Sequence, residues 1–318
     1  MSEETVDTDA RFDAIVVGAG FAGLYMCHRL REAGKTVRIY EAGDDVGGTW
    51  YWNRYPGARC DAESLVYSFS FSPELDAEWE WSERYSTQPE ILRYLGHVAD
   101  RFDLRRHIRF ERRVETAHYD DASATWRVTT DGGDVAIAPI VVMATGCLSV
   151  PLVPEIDGLD DFDRPKYFTG AWPHEGVDFT GLSVGVIGTG SSAIQAIPVI
   201  AEQAAELTVF QRTANFSVPA HNRPLDPDFV AAFKRNYPEH RRLHSAGLAS
   251  GFGDLAIEPK EFVPLLERQN ARVAATLLPL AKKVSSPSHR SSTINGRCLF
   301  RWLSIRRSLS CPRTKRQK

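Results

Sequence analysis

The sequence predicts an α/β chain built from two parallel βαβ units in series. Three observations carry that prediction. A short apolar strand runs into a glycine turn twice, at Gly18 and at Gly188. Each turn is followed by apolar residues at helical spacing and then by a second strand. The two turns sit 170 residues apart, too far for a solenoid repeat but suited to two nucleotide-binding domains. Together these features describe two Rossmann-like dinucleotide folds, because strand, glycine turn, helix and strand all fall within about 30 residues.

The elements follow in order. In FDAIVVGAGFAG the run Ala14–Val17 reads as a buried strand entering the turn. LYMCHRLREAG continues as a helix ending at Gly34, and TVRIYEA is a second strand closing with Glu41. Residues 43–80 are rich in Gly, Trp, Tyr and Pro and offer no period. From Gln88 to Phe102 helical spacing returns, with Thr87 as N-cap and Pro89 near the first turn. Residues 108–143 read as a run of strands: IRFERRVETAHY, TWRVTT, an Asp-Gly-Gly hairpin signal at 131–133, VAIA and IVVMATG. The Pro-rich stretch 151–173 reads as a linker. Then LSVGVIGTGSSA supplies strand and turn, IQAIPVIAEQ a helix and ELTVFQR a strand.

Composition bounds the function. The chain has 318 residues, 43% of them hydrophobic, enough for two domains with sizeable cores. Its five cysteines (Cys27, Cys60, Cys147, Cys298, Cys311) are scattered, with no Cys-x-x-Cys or Cys/His cluster to hold a metal, and read as reduced thiols of a cytoplasmic protein. The acidic start, MSEETVDTDA, does not read as a targeting peptide, and no apolar run approaches membrane-spanning length. The net charge of −3 hides an asymmetry: from Arg268 onward there are 13 Lys/Arg and no acid, leaving residues 1–267 at −16. Residues 281–318 carry eight serines and 11 basic residues with little periodicity, and are expected to be a disordered basic tail or a shifted reading frame.

The chemistry lies in the turns. In Gly18-x-Gly20-x-x-Gly23 the first glycine permits the tight turn, the second lets backbone approach a pyrophosphate and the third allows close helix packing. The helix N-terminus then presents its N–H groups to the anion. Glu41, at the end of the second strand, is placed to bind ribose hydroxyls, which favours FAD or NAD. The second turn, Gly188-x-Gly190-x-x-Ala193, with Ser191, Ser192 and Gln195 opening its helix, differs at its strand end: Gln211-Arg212-Thr213. Arg212 can pair with a 2′-phosphate, which implies NADP(H), with Thr213 beside it. Arg212 as a plain solvated strand-end cation is the alternative. One FAD site and one NADPH site imply hydride passing from nicotinamide to flavin, with the cofactors performing the hard chemistry.

The run Gly47-Gly48-Thr49-Trp50-Tyr51-Trp52-Asn53-Arg54-Tyr55-Pro56-Gly57-Ala58-Arg59-Cys60-Asp61 resembles, position for position, the G-G-x-W-x(4)-Y-P-G-x(3)-D signature of Baeyer–Villiger flavin monooxygenases. The likeness continues through VVMATG, WPHEGVDFTG and GVIGTGSSAIQ to about residue 259. It implies that Gly48, Thr49, Trp50 and Asp61 line the flavin, Asp61 as the catalytic flavin-side acceptor, with Ala144, Thr145 and Gly146 along the cofactor. Ordinary core packing is the alternative for Trp50, Trp52 and Tyr55. The family's Phe-x-Gly-x-x-x-His-x-x-x-Trp-Pro motif falls on Phe162, Arg164, Phe168, Trp172 and Pro173, so Arg164 and Phe168 replace glycine and histidine. Both domains read as incomplete on the C-terminal side, because the family continues for some two hundred residues more.

The resemblance implies this division: 1–148 FAD-binding domain, 149–174 linker, 175–259 partial NADP-binding domain, 260–318 aberrant tail. The implied reaction inserts one atom of O₂ into a ketone to give an ester or lactone, through a C4a-peroxyflavin. Oxygenation of sulfides or amines, and a non-catalytic nucleotide-binding remnant, are the other readings. Nucleic-acid or membrane binding is not expected, since the acidic body would oppose a polyanion.

Overall fold

The computed structural model describes residues 9–246 apart from 216, 218 and 219. The basic stretch from Arg268 onward, with Cys298 and Cys311, lies outside the described residues. The chain forms two compact units. The first runs up to Val177 and regains Asn222–Arg235; the second begins at Asp178, runs to His221 and resumes at Asn236.

The first unit starts with β1 (Ala10–Arg11) and β2 (Ala14–Val17). All four residues of β2 are buried, as an apolar run covered on both faces must be. Then come α1 (Phe21–Glu32) and β3 (Val37–Tyr40). Gly34, at φ +73°, closes α1 in the left-handed conformation that glycine tolerates. The stretch without a period holds two short helices, α2 (Thr49–Trp52) and α3 (Pro73–Glu78). Ser72 caps α3 by accepting the Leu75 N–H at 3.2 Å. α4 (Gln88–Arg101) buries Ile91, Tyr94, Leu95 and Val98 on one face. Thr87 occupies its N-cap position without a side-chain capping bond.

Residues 108–143 divide between two sheets. β4 (Ile108–Arg109) joins β3, and β8 (Ile140–Met143) joins β2, giving a parallel sheet of order β4-β3-β2-β8. β5 (Val114–Asp120), β6 (Thr125–Thr130) and β7 (Val135–Ala138) form an antiparallel meander, with β1 parallel to β7 at its edge. The expected single strand IRFERRVETAHY therefore breaks. At the break Glu111 has φ +53°, its N–H donates to Gly43 O, and the Arg112 N–H donates to Glu41 O. The Asp-Gly-Gly hairpin turns between Thr130 and Asp134. Ile15 and Tyr40 pack with Val128, Ala136 and Ala138, so the meander covers the parallel sheet.

The second unit holds β9 (Ser183–Ile187), α5 (Ser191–Gln203) and β10 (Glu206–Phe210), with β9 and β10 parallel in register from Ser183–Glu206 to Ile187–Phe210. α6 (Pro227–Lys234) belongs to the first unit and α7 (Tyr237–Ala246) to the second. The returning segment is held to the first unit by backbone: the Arg84 N–H donates to Arg223 O at 2.9 Å and the Leu225 N–H to Ser82 O at 3.0 Å. Lys234 Nζ adds bonds to Ala77 O and Trp79 O, at the carbonyl end of α3.

Candidate functional site

The first turn brings the predicted glycines together by backbone contact. Gly18 has φ +101°, and its N–H donates to Tyr40 O at 2.8 Å, tying the turn to β3. A Cβ on Gly18 would lie 2.8 Å from Ala144 O, so the chain leaving β8 passes directly over the turn. Gly20 meets Gly48, which has φ +53°; a Cβ on Gly48 would lie 2.8 Å from Gly20 Cα. A Cβ on Gly23 would overlap the Gly18 carbonyl oxygen, which is how α1 packs against its own turn. No side chain caps α1 and its first turn holds no acid. The N–H groups of its first turn therefore have no side-chain acceptor of their own.

Glu41 is buried, at 4% exposure, with one oxygen on this turn and the other on the chain just after β3. Oε2 accepts the Ala19 N–H at 2.7 Å and Oε1 accepts the Gly43 N–H at 2.9 Å. A carboxylate offers about four lone-pair positions, so acceptor capacity remains for a ribose hydroxyl. The sequence pointed to the ribose and missed the bracing.

The Gly47–Asp61 segment starts on the same turn, through the Gly47 N–H to Ala19 O at 3.1 Å. Thr49 is half-buried. Trp50 is only 7% exposed, edge-on to Tyr67 at 5.9 Å, with its Nε1 donating to the Tyr67 hydroxyl at 3.1 Å. Little of its ring faces outward. Gln88 donates to the Trp50 carbonyl. Burial raises the Tyr67 hydroxyl pKa, opposed by the bond from Trp50. Asn53 Nδ2 donates to Leu148 O at 2.7 Å, tying the segment to the chain just past Ala144, Thr145 and Gly146. Thr145 and Gly146 are exposed, Gly146 at φ +65°. Asp61 is exposed at the segment's end, beside Cys60, whose thiol burial pushes up to about 11. Sequence reasoning missed Tyr67 and Gln88; Gln88 carried only the signal of a helix start. Of the two departures from the family motif, Arg164 is exposed next to Asp163, and Phe168 is half-buried ahead of the turn 169–171.

The second turn repeats the first. Gly188 also has φ +101°, and its N–H donates to Phe210 O at 2.8 Å. Gly190 stands at the N-cap of α5, which likewise has no capping side chain and no acid in its first turn. Here Cβ atoms on Gly188 and Gly190 would meet nothing within 4 Å. Ser191 is exposed, while Ser192, Ala193 and Gln195 lie along α5. Gln211 is half-buried after β10, and Arg212 and Thr213 are exposed. Gln211 Nε2 donates to Thr189 Oγ1 at 2.7 Å, and Asn215 Nδ2 to Thr189 O at 2.9 Å. Thr189 and Asn215 were not read from the sequence, although Thr189 lies between the two glycines.

Two glycine turns, each leading into a helix with no capping side chain, are the fold of a dinucleotide-binding protein. The chain belongs to the pyridine nucleotide-disulphide oxidoreductase family, whose model matches residues 15–246. The disulphide of that description has no counterpart among the described residues, since no two cysteines are spaced Cys-x-x-Cys and Cys27, Cys60 and Cys147 are free. Within the family its relatives include Baeyer–Villiger monooxygenases and a phenazine N-monooxygenase of Lysobacter antibioticus, 43% identical over 255 residues. One from Pseudooceanicola batsensis, named Baeyer-Villiger monooxygenase, is 47% identical over 276 residues, which is 86% of this chain and 50% of its own length. At 86% of the chain this match extends beyond residue 259, the last position the sequence motifs reach. Cyclohexanone 1,2-monooxygenase of Acinetobacter sp is 44% identical over 227 residues, 71% of this chain and 42% of its own. Among solved structures, an oxidized steroid monooxygenase bound to NADP is 61% identical with a TM-score of 0.71, covering 74% of this chain and 45% of that one. The chain spans about half the length of the relatives it matches. Among the described residues no helix is long and apolar enough to cross a membrane, and no cluster of His, Cys, Asp and Glu could hold a metal.

Proposed function

We propose that this chain carries the cofactor-binding turns of a Baeyer–Villiger monooxygenase, which uses NADPH, FAD and O₂ to convert a small ketone into an ester or lactone. The observation that carries the reading is the pair of matching turns with different chemistry at their strand ends. Glu41 follows β3, and Gln211-Arg212-Thr213 follows β10.

At the first turn, Gly18, Gly20 and Gly23 leave backbone rather than side chains where a pyrophosphate would approach, and the α1 N–H groups would receive it. Glu41 would accept from the adenosine ribose with the lone pairs not used by Ala19 and Gly43. Gly48, Thr49, Trp50, Ala144, Thr145 and Gly146 would flank the flavin end, with Asp61 as an acceptor on it. Trp50, locked by Tyr67 and Gln88, would exclude water there. At the second turn, Gly188, Gly190, Ser191, Ser192, Ala193 and Gln195 would receive the NADP(H) pyrophosphate, and Arg212 and Thr213 the 2′-phosphate. When bound, the two cofactors supply the redox chemistry: hydride from the nicotinamide, its acceptance by the flavin, and activation of O₂. The chain's own residues bind, orient and desolvate. The first unit, which regains Asn222–Arg235 rather than ending at residue 148, would serve FAD, and the second, which begins at Asp178, would serve NADP, in a cytoplasm that keeps Cys27, Cys60 and Cys147 reduced.

The test reconstitutes purified chain with FAD, adds NADPH without oxygen, then admits air with cyclohexanone. The expected result is bleaching of the flavin absorbance by NADPH, then recovery with formation of the lactone, identified by mass. Flavin binding without bleaching would overturn the hydride-transfer reading. Bleaching followed by peroxide release without lactone would overturn the ketone reading for this chain.

A further inference from the structure

The two turns match in backbone and differ in what braces them. In the first, the residue between the glycines is Ala19, and its N–H is held by the Glu41 carboxylate at 2.7 Å. In the second, the residue between the glycines is Thr189, and Gln211 stands where Glu41 stands in the first. That equivalence is fixed by register: Gly18 bonds the residue before Glu41, and Gly188 the residue before Gln211, both at 2.8 Å. The bond from Gln211 runs to the turn's side chain, from Nε2 to Thr189 Oγ1 at 2.7 Å. Asn215 closes the arrangement from the other side, its Nδ2 donating to Thr189 O at 2.9 Å with a longer contact to Thr189 Oγ1 at 3.4 Å. The first brace is anionic; the second is neutral throughout.

We infer that Gln211, Thr189 and Asn215 form a neutral clasp that fixes the second turn and keeps a carboxylate away from Arg212, so that this site selects a 2′-phosphorylated adenine ribose. The inference rests on the proposed NADP(H) role of the second unit. A carboxylate at 211 would do three things that Gln211 cannot. It would repel a 2′-phosphate, accept from a free 2′-hydroxyl as an anion, and compete for the neighbouring Arg212 guanidinium. Gln211 is uncharged and one of its two amide N–H groups is engaged by Thr189 Oγ1, so it does not compete as an anion for the exposed Arg212. Thr189 is in turn needed to hold Gln211. The three are positioning residues, acting through the turn and through Arg212.

The experiment is calorimetric titration of the full chain with 2′,5′-ADP and with 5′-AMP, comparing wild type with Gln211→Glu, Thr189→Val and Thr189→Ser. The wild type is expected to prefer 2′,5′-ADP. Gln211→Glu, nearly isosteric, should cut the ratio of the two affinities at least about tenfold, since a like charge within contact range repels strongly at the effective dielectric of a protein surface. Thr189→Val should weaken 2′,5′-ADP binding about fivefold, the loss of one neutral hydrogen bond, and Thr189→Ser should restore it. Far-UV circular dichroism checks folding, and if Thr189→Val unfolds, the Gln211→Glu ratio decides alone. A wild-type preference that Gln211→Glu leaves unchanged would overturn the clasp while sparing the NADP(H) reading. No wild-type preference would overturn the NADP(H) reading, and the clasp with it.

Discussion

Replacing Glu41 by glutamine exchanges one oxygen for an NH₂ group and should cost the first unit much of its stability. The carboxylate is 4% exposed and accepts two backbone N–H groups, from Ala19 at 2.7 Å and Gly43 at 2.9 Å. Glutamine can turn its carbonyl oxygen toward one of them. Its NH₂ group must then face the other, donor against donor, in a place water does not reach. One hydrogen bond to a charged acceptor is lost and one buried N–H is left unsatisfied, together about 3 kcal/mol. At a urea slope of about 2 kcal/mol/M, the unfolding midpoint should fall by about 1.5 M with the slope unchanged. Urea titration followed by circular dichroism reads this directly, and flavin affinity should fall with it because Ala19 lies in the turn. A Glu41→Gln variant with the wild-type midpoint would refute the claim that this carboxylate holds the turn together.

Three other outcomes follow from the geometry. Gly188→Ala should destabilise by about 1–2 kcal/mol because φ is +101° there, whereas Gly190→Ala, at φ −75° with nothing within 4 Å of the added Cβ, should stay within about 0.5 kcal/mol on thermal unfolding. His28 stacks on Phe71 at 4.2 Å, and burial holds its pKa below the ordinary 6.5. The unfolded chain therefore binds that proton first as pH drops, so stability is full above 6.5 and declines below it; His28→Phe should flatten that slope in urea titrations at a series of pH values. Arg112→Met removes the countercharge from Asp134, which is 1% exposed and paired with Arg112 at 2.7 Å. A loss of about 3–5 kcal/mol is expected in denaturant unfolding.

The strand, turn and helix around Gly18 and Gly188 are legible because each is encoded locally, by a buried apolar run, glycines at fixed offsets and a 3.6-residue period. The strand Ala14–Val17 matches its expected bounds to the residue. What is not legible depends on partners distant in sequence. The strand expected from Ile108 to Tyr119 breaks because the backbone of Glu111 and Arg112 is claimed by Gly43 and Glu41, far earlier in the chain. β7 and β8 are separated by one residue yet belong to different sheets, and no periodicity distinguishes them. The return of Asn222–Arg235 to the first unit rests on bonds to residues 82–85 that a local pattern cannot reveal. α3 does carry a local signal, Ser72-Pro73 ahead of an acidic turn, which the surrounding aromatic residues obscure. At the site, residue types give the chemistry of Glu41 and Arg212, while the bracing by Glu41, Gln211 and Thr189 becomes visible only with the turns folded.

The most direct test of two separate, chemically distinct turns is calorimetry on one folded sample, titrating FAD and then 2′,5′-ADP. The account predicts one molecule of each per chain, with neither displacing the other. Competition between the two ligands for a single site, or binding of neither, would contradict it.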